Sequence, residues 1–289
     1  METSTAQSRK AIGIFLFFTF ALSSIFYFII IHIGKLAAGQ GMYVVGLMYC
    51  PALSAFITCK ILKRDIASLG WGWGKSRYQL WAYLVPLLYS LVSYSIIWLT
   101  GRGGFYNHTF VSETAKSFGL EHLPNGLVIL LYFIITGIYG MTMSLSSGLG
   151  EEIGWRGFLV PEMSKNFGYT KTSLIVGCIW AVWHFPILIF ADYNNGAPVW
   201  FGLTCFTVMV ISLSFIFAWF RLKSNSLWTG AILHGSHNLF IQVFFTPITA
   251  YNSHTKYFID EFGVVVPVIC LLTAVYFWSR RGELKMSVG

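Results

Sequence analysis

Residues Val199 to Phe220 read V-W-F-G-L-T-C-F-T-V-M-V-I-S-L-S-F-I-F-A-W-F, with no charged side chain among them. As a helix at 1.5 Å per residue this stretch is about 33 Å long, enough to cross the hydrocarbon core of a bilayer, roughly 30 Å. It has no polar face to offer to water, so lipid or protein must cover it all round. Similar runs occupy 11–33, 41–62, 79–100, 126–148, 172–190, 227–246 and 263–280. The expectation is an all-α polytopic membrane protein of about eight transmembrane helices. Residues 1–289 form one integral-membrane domain on this reading.

Composition agrees. Hydrophobic residues make up 56% of the 289 positions and charged residues 10%, with a mean hydropathy of +0.66. An ordinary soluble domain carries about 25% charged residues, so a water-soluble enzyme is excluded, and so is a disordered chain. Aromatic residues reach 18%, as suits belts at two membrane interfaces. The net charge of +8 must sit in loops, which argues for topology first, contact with anionic membrane lipids second, and no nucleic acid. The five cysteines (Cys50, Cys59, Cys178, Cys205 and Cys270) lie in or beside apolar runs without a C-x-x-C, and read as small buried hydrophobes.

The first run follows Ser8-Arg9-Lys10 and is too long for a signal-peptide core, so it reads as a retained helix. With the N-terminus in the cytoplasm, 15 of the 19 Lys and Arg fall on the cytoplasmic side; Lys35, Arg102, Lys116 and Lys256 fall outside. That asymmetry puts both termini inside. The membrane would be the cell membrane in a bacterium and the endoplasmic reticulum in a eukaryote. Gly70-Trp71-Gly72-Trp73-Gly74 reads as an interfacial turn with Trp anchors. The stretch 101–125 reads as the longest polar loop, containing the sequon form Asn107-His108-Thr109.

Ionisable residues inside such a chain are expensive and mark function. Asp65, Glu113, Glu121, Asp192, Asp260, Glu261 and Glu283 read as loop or tail residues, whereas Glu151 and Glu152 stand at or just beyond the end of the fourth run. In a helix Glu152 and Arg156 are i,i+4 and can pair, while Glu151 points about 100° away and stays free to act as a general base. His184 lies in the fifth run. His234 and Asn238 share a face of the seventh, bordered by His237. Polar groups on separate helices seek one another or a wet cavity, so Glu151, His184, His234 and Asn238 are expected to converge. The motif-bearing core is about 126–246.

Glu151-Glu152-x-x-x-Arg156, Trp180-x-x-x-His184 and His234-x-x-x-Asn238 resemble, in order, the E-E-x-x-x-R, F-x-x-x-H and H-x-x-x-N motifs of the CPBP family. That family contains the type II CAAX prenyl endopeptidases and the ABI-type intramembrane proteases. Trp180 stands where the family pattern has Phe. The resemblance covers 151–238. It implies a helical bundle with a conical cavity and endoproteolysis near a substrate C-terminus. By the same resemblance, Glu151 activates water with help from His184, His234 and Asn238 stabilise the oxyanion, and Glu152, Arg156 and Trp180 shape the site. Glu152 has a share in catalysis in some family readings.

Several alternatives stand beside this reading. Glu151, His184 and His234 could bind zinc with an open fourth position, but His-Glu-x-x-His is absent and no metal or other cofactor is expected. The three Asp lie outside the apolar runs, against an aspartyl protease, and Ser146-Ser147-Gly148 is too weak a signal for a serine nucleophile. A proton-coupled transporter lacks the expected repeats. A non-catalytic self-immunity factor or scaffold is the remaining class. The expected partner is a peptide or lipidated protein substrate. Its identity and the oligomeric state are not readable from the sequence.

Overall fold

The computed structural model describes residues 2–34, 41–191, 193 and 196–284. Lys35, Asp192 and Lys285, used above in the charge reading, lie outside the described residues. Among the described residues all regular structure is helical, apart from one bridge between Gly104 and Ala250.

The helices are α1 (Glu2–Ile33), α2 (Met42–Ile61), α3 (Ser76–Leu99), α4 (His108–Ser117), α5 (Asn125–Ser164), α6 (Tyr169–Phe190) and α7 (Val199–Ser224), followed by α8 and α9. Helix α8 opens as Leu227–Asn238 and runs on through a π-helical Leu239–Phe245 into Thr246–Ile248. Helix α9 is Val265–Ser279. The protein is a polytopic helical membrane protein. Among the described residues six helices, α1, α2, α3, α5, α6 and α7, are long and apolar enough to cross a membrane. The two other runs became α8 and α9, which fall outside that set. Helix α9 has 15 residues, short of the roughly 20 a crossing needs, and α8 carries His234, Ser236, His237, Asn238 and Gln242.

The largest departure from the sequence reading is α5. The fourth run stops at 148 by apolarity, yet the helix continues for 40 residues in all. It passes through wide π turns at Thr136–Gly140 and Ile153–Leu159. Glu151 and Glu152 therefore lie within the helix and are buried. A charged pair ends a lipid-facing run, but it need not end a helix whose charges find partners in its neighbours. Two glycines one turn apart allow this. A Cβ at Gly150 would come 2.7 Å from the Met48 carbonyl oxygen, and one at Gly154 would come 2.7 Å from the Pro51 carbonyl carbon. Bare backbone at both positions lets α5 close onto α2, the small-xxx-small device of membrane helices.

Helix α8 packs against α3, α5 and α7. A Cβ at Gly230 would come 2.7 Å from Glu152 Oε2, so a glycine there admits the carboxylate to the helix surface. The Gly70–Gly74 turn clasps the start of α8: Leu227 N–H donates to the Gly70 carbonyl (2.8 Å), and the Trp228 indole to the Trp71 carbonyl (2.8 Å). Within 101–125 the chain forms α4, and the side chain of Asn107 caps it by accepting from Phe110 N–H (3.3 Å).

Other corrections concern charge and cysteine. Arg156 and Arg221, counted above with loop cations, are buried in helical segments; the Arg221 guanidinium donates to the Arg156 carbonyl (2.8 Å). All five cysteines are free, and Cys178 is exposed rather than buried. Glu261, read as a loop residue, is in a loop but buried.

Candidate active site

One cavity of about 150 Å3 is lined by Glu151, Trp180, His184, His234 and Asn238 together with His237, Gln242 and Glu261. Thus α5, α6 and α8 bring the predicted residues together as polarity alone demands. Glu152 and Arg156 sit behind this wall, with no exposure of either side chain.

Glu151 comes from the middle of α5. Its Oε2 accepts the Trp180 indole N–H at 2.6 Å and the Trp155 indole N–H at 3.2 Å. The sequence reading left this carboxylate without an ion pair, and it has none among the described residues. It is nevertheless held by two neutral donors. The aromatic difference from the family pattern is thus chemically consequential, because Phe has no N–H to give.

Glu152 takes the charged partners. Its Oε1 accepts from Arg156 Nη1 at 2.8 Å and from His234 Nδ1 at 3.0 Å. The guanidinium is stacked between rings, 4.2 Å from the Trp180 centroid and 4.5 Å from that of Phe217. Cation–π attraction of this kind is strongest where water is excluded. The i,i+4 pair predicted on α5 is present and is extended across to α8.

The histidine orientations follow from their partners. His184 Nδ1 lies 2.9 Å from the Trp180 carbonyl oxygen. A carbonyl only accepts, so Nδ1 carries the proton and a neutral ring keeps a lone pair on Nε2. His234 Nδ1 likewise donates to Glu152, the carboxylate–histidine arrangement that fixes a ring's tautomer and tilt. The Asn238 amide has no hydrogen-bond partner among the described residues and is available to a ligand. His237 is fully used: Tyr89 O–H lies 2.6 Å from its Nδ1, and its Nε2 donates to Glu261 Oε1 at 3.0 Å.

Glu261, Tyr193, Gln242 and Trp155 escaped the sequence reading. Glu261 also accepts from Gln242 Nε2 (3.0 Å) and Tyr193 O–H (2.7 Å). Burial acts to raise the Glu261 carboxyl, but the hydrogen bond and charge of His237, with the bonds from Tyr193 and Gln242, outweigh it and hold the group below its ordinary value. Burial and then the Glu261 charge push neighbouring Asp260 up to about 7. Asp260 sits at a left-handed φ of 63°, held by its Oδ1 accepting Glu261 N–H at 2.7 Å. Gln242 had a sequence signal, since it lies i+4 from Asn238 as Asn238 does from His234. Trp155 lies i+4 from Glu151. Glu261 and Tyr193 had none, because loops fold them in from afar.

Among the described residues no three His, Cys, Asp or Glu side chains are gathered as a metal would need.

Residues 138–240 match the profile of the family described as Rce1-like, type II CAAX prenyl endopeptidase Rce1-like. Over 95 residues the chain is 32% identical to a CAAX prenyl protease 2 of Methanococcus maripaludis; the match covers 31% of this chain and 34% of the relative. The chain therefore spans about a third of the length of the curated relative it matches.

Proposed function

We propose that this chain, with an Rce1-like segment at its centre, is an intramembrane endopeptidase that uses a glutamate-activated water. The observation that carries the reading is one cavity lined by Glu151, His184, His234 and Asn238 from three helices. Water bound between Glu151 and His184 Nε2 gives its proton to the Glu151 carboxylate as its oxygen adds to the scissile carbonyl. The negative charge passes to the carbonyl oxygen, where Asn238 Nδ2–H and His234 Nε2–H donate to it. Collapse of the tetrahedral intermediate breaks the C–N bond, and Glu151 returns the proton to the leaving amine.

The His234 role sets a condition. Its Nδ1–H already serves Glu152, so Nε2 can donate only in an imidazolium. The hydrogen bond from Nδ1 to the Glu152 carboxylate favours that form.

The substrate class is a peptide or lipidated protein at the membrane, with prenylated C-a-a-X termini the first candidates on the strength of the family description. The test is cleavage by purified protein in liposomes. It offers prenylated C-a-a-X peptides and unmodified hydrophobic peptides, with products read by mass spectrometry. Wild type should cleave, Glu151→Gln and His184→Ala should not, and exhaustive chelation should leave activity intact. Cleavage that survives in Glu151→Gln refutes the mechanism, and activity lost on chelation and restored by zinc refutes its metal-free form.

A further inference from the structure

A second and larger cavity, about 580 Å3, lies between α3, α7 and α9 and shares no lining residue with the candidate active site. Its mouth is built where α3 begins and α7 and α9 end. That arrangement gathers Arg77, Lys223 and Arg280 at one end, with Glu283 among them. Glu283 pairs with both Lys223 and Arg280. Arg77 has no carboxylate partner among the described residues; its guanidinium lies 4.8 Å over the Tyr78 ring and donates to that hydroxyl at 3.0 Å. Three cations against one carboxylate leave a surplus of two positive charges.

Away from the mouth the walls are largely apolar, with Val85, Leu88 and Val92 of α3 and Ile269 of α9. Leu88 and Val92 are about half exposed, at 49% and 47%, so the groove is open at the side. From Arg77 to Val92 is fifteen residues of helix, or about 22 Å. One leaflet's hydrocarbon is about 15 Å deep, half the bilayer core. A cationic mouth over an open apolar groove of this length has the polarity and reach of a lipid.

We propose that this groove binds one anionic phospholipid of the surrounding bilayer, its phosphate at Arg77, Lys223 and Arg280 and an acyl chain along Leu88 and Ile269. The groove wall includes Tyr89, whose hydroxyl meets His237 Nδ1; His237 in turn holds Glu261 at the active cavity. The bound lipid would thus lie two side chains from Glu261. The binding claim stands apart from the proposed peptidase activity and its test does not use that activity.

The test is native mass spectrometry of the full chain released from mixed phosphatidylglycerol and phosphatidylcholine at equal amounts. Each net cation is worth about fivefold in affinity for an anionic lipid, so two predict a preference of roughly 25-fold for phosphatidylglycerol, with one molecule retained. Arg77→Gln should reduce the preference by about fivefold, and Arg77→Lys should preserve it. Ile269→Trp, which fills the groove away from the charges, should reduce retention of both lipids. Thermal melting of each variant shows that it is folded, and either arm alone can refute the proposal if the other variant fails to fold. Equal retention of the two lipids by wild type overturns it, as does an unchanged preference in folded Arg77→Gln. Displacement by inorganic phosphate would reassign the mouth to a free anion. Displacement by a farnesylated peptide would reassign the groove to substrate. Either result overturns the proposal.

Discussion

The buried pair of Glu152 and Arg156 permits a quantitative test of what holds the centre of the bundle together. Neither side chain is exposed, and the contact is 2.8 Å. For charge centres about 4 Å apart, the attraction is about 4 kcal/mol at an effective dielectric constant of 20. Stripping both ions of water costs several kcal/mol each, so the pair as a whole contributes little net stability. Removing one partner is different, because the other charge stays buried without compensation. Arg156→Met should therefore destabilise by about 3–5 kcal/mol, with part of the loss from the rings of Trp180 and Phe217 that stack on the guanidinium. Glu152→Gln should cost a similar amount, because it uncovers Arg156 and frees His234 from its anchor. The double variant should lose less than the sum of the two singles, by a coupling energy of about 2–3 kcal/mol, the upper end for residues in contact. The assay is reversible unfolding in mixed micelles for wild type, both single variants and the double. Additive losses would refute the claim that the pair is a mutually compensating unit. So would an Arg156→Met variant within about 1 kcal/mol of wild type, since that would mean the Glu152 carboxylate is not buried as described.

Three further outcomes follow from the same geometry. Asn238→Ala should lower kcat by roughly 10²–10³, the usual cost of one oxyanion donor, with melting behaviour unchanged; kcat within twofold of wild type in the liposome assay would remove Asn238 from that role. Gly154→Ala should destabilise by about 1–3 kcal/mol, because its Cβ meets Pro51 backbone that cannot yield. Gly126→Ala, with open space around it, serves as the neutral control in the same unfolding assay. Asp260→Asn should raise the melting temperature above pH 7 and leave it unchanged near pH 4. The folded-state pKa of about 7 exceeds the ordinary carboxylate value, so the folded form binds the extra proton between those limits. Wild-type stability is therefore lost as pH rises through that window, and the amide escapes the loss. A variant-minus-wild-type difference independent of pH would count against the Asp260–Glu261 arrangement.

Helix identity was legible in the sequence because membrane insertion imposes a strong local rule. A residue such as Leu213 or Phe217 needs an apolar neighbourhood wherever it ends up, and runs like 199–220 declare themselves. The polar residues Glu151, His184, His234 and Asn238 were legible for the complementary reason, since each is costly unless it meets another. Where a helix ends was less legible. The stop drawn at 148 failed because the cost of Glu151 and Glu152 is cancelled by Trp180, Trp155, Arg156 and His234, two of which come from other helices.

Sequence alone determined the helical, membrane-embedded class and the residues that had to converge, because hydropathy and intrahelical spacing are local properties. It also determined that Arg156 could reach Glu152, one turn away on the same helix. Tertiary structure alone decided how those residues are paired. It assigned the indole of Trp180 to Glu151 and the imidazole of His234 to Glu152, and so fixed which histidine nitrogen faces the cavity. It folded Glu261 and Tyr193 in from segments that read as ordinary loops, and it gathered Arg77, Lys223 and Arg280 around a separate groove. Such pairings depend on distances between elements far apart in the chain, set by how closely bare glycines let helices approach. No local pattern of residues encodes those distances.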